Sequence, residues 1–374
     1  MRKVFALFIV VTIVVIAYSC KKKSGSSTGT VYLDLPATAY TYNTTKYANK
    51  NIDHKATLGR VLFYDTRLSL NNAISCASCH KQAAGFADNV AFSVGYEGRL
   101  TGRNSPMIAN ITGDSLRYDN ITKKSAPLFW DGREDVLQNL IARPVTNHVE
   151  MGINDFNTLP EKLGHVDFYP GLFTNAYGDN TITPDRISEC VAVFLASIRS
   201  RNTRFDQFMG PNKFFGGTPS NPGVFSAQEY NGYNLFISKY QCQNCHRIFS
   251  SYYTFSDFRD IGLDKAYADK GFGTVTGSKN DEGKFRTPGL RNIALSAPYM
   301  HDGRYKTLEE VIDHYSKGVN NSVNLDWNLK DTSGKARMMN ISDIDKKALV
   351  AFLGTLTDYD LVTDPKFSNP FKVK

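Results

Sequence analysis

Cys76, Cys79 and His80 form a Cys-x-x-Cys-His pentapeptide, and Cys242, Cys245 and His246 form a second. Two thiols at this spacing can add to the vinyl groups of one porphyrin, and the adjacent imidazole then reaches the iron as an axial ligand. A zinc site would need further cysteines nearby to complete a tetrahedron, and neither copy has them. The pair therefore predicts two covalently bound c-type haems, which take four of the six cysteines. Cys190 is left inside an apolar stretch and reads as a small packed residue rather than a reactive thiol.

The elements that must hold these groups come in two sets. Asn104-Ser105-Pro106-Met107-Ile108-Ala109-Asn110 follows the first motif, and Arg286-Thr287-Pro288-Gly289-Leu290-Arg291-Asn292 follows the second. Pro127-Leu128-Phe129-Trp130-Asp131-Gly132-Arg133 is answered by Pro298-Tyr299-Met300-His301-Asp302-Gly303-Arg304. Thr183 then caps a helix with Pro184 in its first turn and Ile187, Val191 and Phe194 on one face; Ser342 caps its counterpart with Leu349, Phe352 and Leu353. Cys190 of the first helix matches Ala348 of the second. The expected fold is mainly α: two cytochrome c-like haem domains related by duplication, over residues 46–209 and 224–374, joined by a Gly/Pro/Asn-rich linker at 210–223.

The chain opens with Arg2, Lys3 and an apolar run from Val4 to Ala17, too short to span a bilayer. A lipoprotein signal over residues 1–20, acylated at Cys20 and followed by a tether at 21–45, fits it, although Ala17 stands where such signals usually carry Leu. The expected location is the periplasm, with membrane attachment by the lipid alone. Five of the charges behind the formal +8 lie in Arg2, Lys3 and Lys21 to Lys23. With no basic stripe and no Gly-rich phosphate loop, nucleic acid is excluded as a partner.

Differences between the copies carry the functional reading, because a sixth protein ligand closes an iron and an open position admits a small molecule. The second copy predicts a helix from Thr307 to Tyr315 that supplies His314 and Tyr315. In the first copy a helical turn after Leu137 is expected to end at Pro144, and the loop beyond it contains His148 and Glu150. A carboxylate beside an open iron suits peroxide cleavage, where one oxygen loses a proton and the other gains one.

These motifs, with Leu58-Gly59-Arg60-Val61-Leu62-Phe63-Tyr64-Asp65 before the first haem, resemble the bacterial di-haem cytochrome c peroxidases and their MauG-like branch. The resemblance implies a peroxidatic haem on His80 and an electron-receiving haem on His246. It implies Trp130 between them and Glu150 as the distal acid and base. A calcium ion would sit at Asn104 and the carbonyls of Ser296 and Pro298. Hydrogen peroxide would be reduced to water with electrons from a small cytochrome c or cupredoxin. The alternatives are a MauG-like oxidation of residues on a partner protein, or a plain electron carrier.

Three departures bear on this. The loop from Lys81 to Arg103 contains no His to cap the first iron, so that haem should be open. Fourteen residues beyond His301, where the peroxidases carry a Met ligand, stands Tyr315, with Met300 and His314 as competing ligands of the second iron. The family's distal glutamine falls on Leu140, and Gln138 is about the opposite side of a helix.

Overall fold

A computed structural model describes residues 31–35, 50–112, 126–211, 218–249 and 257–373. Its described residues are rich in helix, with only short strands, and two large hydrophobic cores organise them.

In the first core, helix α1 (Lys50–Tyr64) crosses α3 (Pro184–Ser197). In the second, α4 (Ala227–Asn234) crosses α6 (Asp343–Gly354). Both crossings close on a glycine. A Cβ on Gly59 would lie 1.9 Å from the Cys190 carbonyl oxygen, and one on Gly232 would lie 1.9 Å from that of Ala348. This explains the match of Cys190 with Ala348: each is a small residue where a facing helix comes closest. Cys190 is fully buried, and burial pushes its thiol up to about 12, which keeps it protonated and inert.

The expected helix starts hold. Thr183 accepts a hydrogen bond from the Arg186 amide and Ser342 from the Asp345 amide, each at 3.2 Å, so each cap satisfies an amide that the first turn leaves unpaired. Each closing helix is then fastened by the last residue of a repeated motif. The Asn110 amide donates to the Ile198 carbonyl and the Asn292 amide to that of Leu356, both at 2.9 Å. Their side-chain oxygens accept from the Ser200 and Asp358 amides, both at 2.7 Å. Both asparagines sit at φ 59°, a left-handed conformation that Asn tolerates better than most residues.

Three features differ from the sequence expectations. Val31–Leu33, inside the stretch expected as a tether, pairs antiparallel with Phe371–Val373, because Val, Tyr and Leu find a strand partner at the other end of the chain. The cores also exchange terminal segments: Phe205, Phe208 and Met209 pack in the second, and Leu361 and Phe367 in the first. Finally, α2 (Leu137–Thr146) runs through Pro144 instead of ending there. The proline lies in the last turn, and buried Val145 beside it ties that turn to the core. The expected signal, Cys20 and most of the tether fall outside the described residues. Among the described residues no helix is long and apolar enough to cross a membrane.

Candidate haem centres

At the first motif the chain turns through the short helix Cys76–Cys79, whose start is held by Ser75 and Ser78 in a reciprocal cap. Burial raises both thiols, Cys76 to about 12 and Cys79 to about 11, as expected of groups set in an apolar crevice. His80 Nδ1 lies 3.0 Å from the Phe86 carbonyl oxygen. A carbonyl can only accept, so Nδ1 carries the proton and Nε2 keeps its lone pair for a metal. Burial lowers the His80 pKa, which favours the neutral, ligating form.

Glu150 lies within electrostatic reach of this site. Its charge reaches both Cys76 and Cys79, and Asn147 Nδ2 donates to its carboxylate at 2.9 Å. Burial raises its pKa above the ordinary value, while Arg133 and the Asn147 amide pull the other way. The loop is pinned because the Tyr96 amide donates to the Glu150 carbonyl at 2.8 Å. Neighbouring His148 is exposed. Gln138 donates its amide to the Asp185 carbonyl at 3.3 Å, and Leu140 packs against the first core, so neither adds a distal hydrogen bond.

The second motif opens on a large, mainly apolar cavity lined by Cys242, Cys245, His246, Tyr315 and Met300. His246 Nδ1 donates to the Pro288 carbonyl at 3.1 Å, which again frees Nε2. Tyr315 comes from a π turn, His314–Gly318, that follows helix α5 (Leu308–Asp313). Burial, and then the nearby Cys245 and Cys242 sulfurs, push its phenol well above the usual tyrosine range. The same turn faces His314 away from the cavity. Its Nε2 donates to the Ile261 carbonyl at 2.9 Å, and Nδ1 accepts from the Tyr305 hydroxyl at 3.3 Å. Both nitrogens of His314 are thus occupied, whereas Tyr315 and Met300 face the cavity.

Paired thiols and a correctly protonated imidazole at each motif, with an apolar cavity at the second, fit a thioether-bound porphyrin. Comparison with known proteins agrees. Residues 53–213 match the family model described as di-haem cytochrome c peroxidase. MauG of Methylorubrum extorquens is 32% identical over 316 residues, covering 83% of this chain and 80% of that protein. The chain belongs to the di-haem cytochrome c peroxidase family. Cytochrome c551 peroxidase of Nitrosomonas europaea is 30% identical and covers 84% of each chain. The crystal structure of a MauG-like protein associated with microbial copper homeostasis superposes with a TM-score of 0.71 at 30% identity, over 90% of this chain and 98% of that one. As a family member the chain carries two c-type haems and is an oxidoreductase acting on peroxide.

In this di-haem peroxidase the second cavity extends to Asn104, Pro106 and Trp130, so residues of both halves line one space. Trp130 Nε1 donates to the Asn104 carbonyl at 2.8 Å, and the Trp130 carbonyl accepts from the Arg286 amide at 2.8 Å. The indole is therefore fixed between the halves. Arg103 staples the same seam: Nε and Nη2 grip Asp269 at 2.7 and 2.8 Å, and Nη1 reaches Asp131 at 2.6 Å. Ser296 and Pro298 line the cavity beside Asn104, whose amide nitrogen donates to the Val90 carbonyl at 3.0 Å and so turns its oxygen the other way. Among the described residues no cluster of His, Cys, Asp and Glu could hold a metal. Sequence reasoning missed the carbonyl partners of the two histidines. The repeated Pro106 and Pro288 were the available signal, since each lies next to its histidine.

Proposed function

We propose that this di-haem peroxidase reduces hydrogen peroxide to water at the site of Cys76, Cys79 and His80, with electrons entering at the site of Cys242, Cys245 and His246. The haems, when bound, supply the redox-active irons. Glu150, as carboxylate, takes a proton from one oxygen of the peroxide and returns it to the other, and two electrons with two protons complete two waters. Asn147 holds the carboxylate in place, and the Arg133 charge offsets part of the burial that raises its pKa. Trp130 carries electrons across the seam, and Tyr315, which lines the second cavity, would hold the second iron when its haem is bound. A calcium ion at Asn104, Ser296 and Pro298 would brace the indole. The donor is a small cytochrome c or cupredoxin, met in the periplasm where Cys20 anchors the chain.

The observation that carries this reading is asymmetry: a carboxyl held by Asn147 lies within electrostatic reach of the first thiol pair, and a buried phenol lines the cavity of the second. Glu150→Gln in the holoprotein should lower peroxide turnover by about 10²- to 10⁴-fold with both haems retained. Unchanged turnover refutes it. Tyr315 and the His-free loop after the first haem also favour a second reading, in which the oxidising equivalents pass to a residue of a partner protein. Covalent change in a co-expressed partner, with slow turnover of reduced cytochrome c, distinguishes it.

A further inference from the structure

The two proximal histidines are not held alike. His246 has the Pro288 carbonyl, whereas His80 has the Phe86 carbonyl as well as Pro106, the counterpart of Pro288. Phe86 is fully buried at φ 65°, a conformation that a bulky residue adopts only when its surroundings impose it. Phe63 of helix α1 meets its ring at 6.3 Å, and the other side of those surroundings comes from the far end of the chain. The Phe367 ring meets Phe86 edge-on at 6.4 Å. Gln82, two residues past His80, donates to the carbonyls of Leu361 at 3.1 Å and Asp364 at 2.9 Å. Tyr64 donates to the Phe367 carbonyl at 2.6 Å, and Arg60 to that of Ser368 at 2.7 Å. The segment starts at Asp358, whose amide is held by Asn292 at the end of the second closing helix.

We propose that residues 358–373 form a positioning strap that, through Gln82 and Phe367, fixes the Phe86 carbonyl against His80 Nδ1 and makes the first proximal imidazole more basic than the second. An acceptor on the free N–H raises ligand basicity, and a more basic imidazole favours oxidised iron. The strap thus lets the end of the second half bias the reaction centre of the first. This rests on haem attachment at His80 and not on the role given to Glu150.

The test uses the holoprotein without peroxide. Gln82→Leu and Phe367→Ala are titrated by spectroelectrochemistry, with Tyr315→Phe marking the second haem's couple. The first couple should shift toward the reduced form by about tenfold, or about 59 mV for one electron. The iron–histidine stretch of the reduced first haem should fall in frequency, and the second couple should stay in place. Gln82→Leu keeps its bulk and carries the test where Phe367→Ala fails to fold. Two unmoved couples, or two couples that move together, overturn the proposal.

Discussion

Gly59→Ala and Gly232→Ala probe the duplication at its two tightest points. The added Cβ would meet a backbone carbonyl oxygen at 1.9 Å in each copy, and the Cβ of Phe194 or Phe352 at 2.9 or 2.8 Å. Ordinary contact begins near 3.4 Å, so each helix pair must part by about 1.5 Å. The obstacle is backbone within a buried helix and cannot swing aside. Overpacking of this kind costs about 3 kcal/mol, and alanine's better helix propensity returns about 1 kcal/mol. The net loss is about 2 kcal/mol per site. For a domain of this size that lowers Tm by about 4 to 8 °C. Far-ultraviolet circular dichroism would follow the whole fold on heating, and visible absorption would follow each haem. Gly59→Ala should loosen the first haem before the second, and Gly232→Ala the reverse. A Tm within about 1 °C of the parent for either variant would refute the crossing geometry.

Other perturbations read the site directly. Arg133 stabilises the Glu150 carboxylate, so Arg133→Met should move the acid limb of the kcat profile to higher pH; an unmoved limb separates the two residues. Because burial raises the Glu150 pKa, this group adds stability at low pH that is lost as pH rises through its folded value, and Glu150→Gln should flatten that part of the stability profile. Trp130→Phe should slow electron transfer between the haems in stopped-flow absorption while leaving both reduction potentials in place. Arg291 grips buried Asp206 through two hydrogen bonds, at 2.5 and 2.6 Å, so Arg291→Met takes the guanidinium away from a buried carboxylate. That should cost about 3 to 5 kcal/mol in denaturant unfolding.

The chemistry was legible in the sequence because it depends on contiguous residues. Cys-x-x-Cys-His fixes porphyrin attachment within five positions, and Thr183 and Ser342 cap helices three residues away. The duplication was legible for the same reason, through short motifs repeated in order. What escaped depends on partners far along the chain. Nothing local in Val31–Leu33 indicates a strand across from Phe371–Val373, and nothing near Phe367 indicates that it belongs to the first core. Counting from His301 pointed to Tyr315, but the engagement of His314 with Ile261 and Tyr305 was not legible, since a regular helix and a widened one send adjacent side chains in different directions. Pro144 misled because the rule for proline concerns helix interiors, and a final turn tied down by Val145 escapes it.

The pairing of Val31–Leu33 with Phe371–Val373 also sets a leash length. With the lipid proposed at Cys20, eleven steps of chain lead to Val31, which even fully stretched reach about 40 Å. The strand that ends this leash lies against the first core, so the half proposed to meet peroxide is held within about 40 Å of the bilayer. A redox partner bound for the other half has to work inside that gap or approach from its open side.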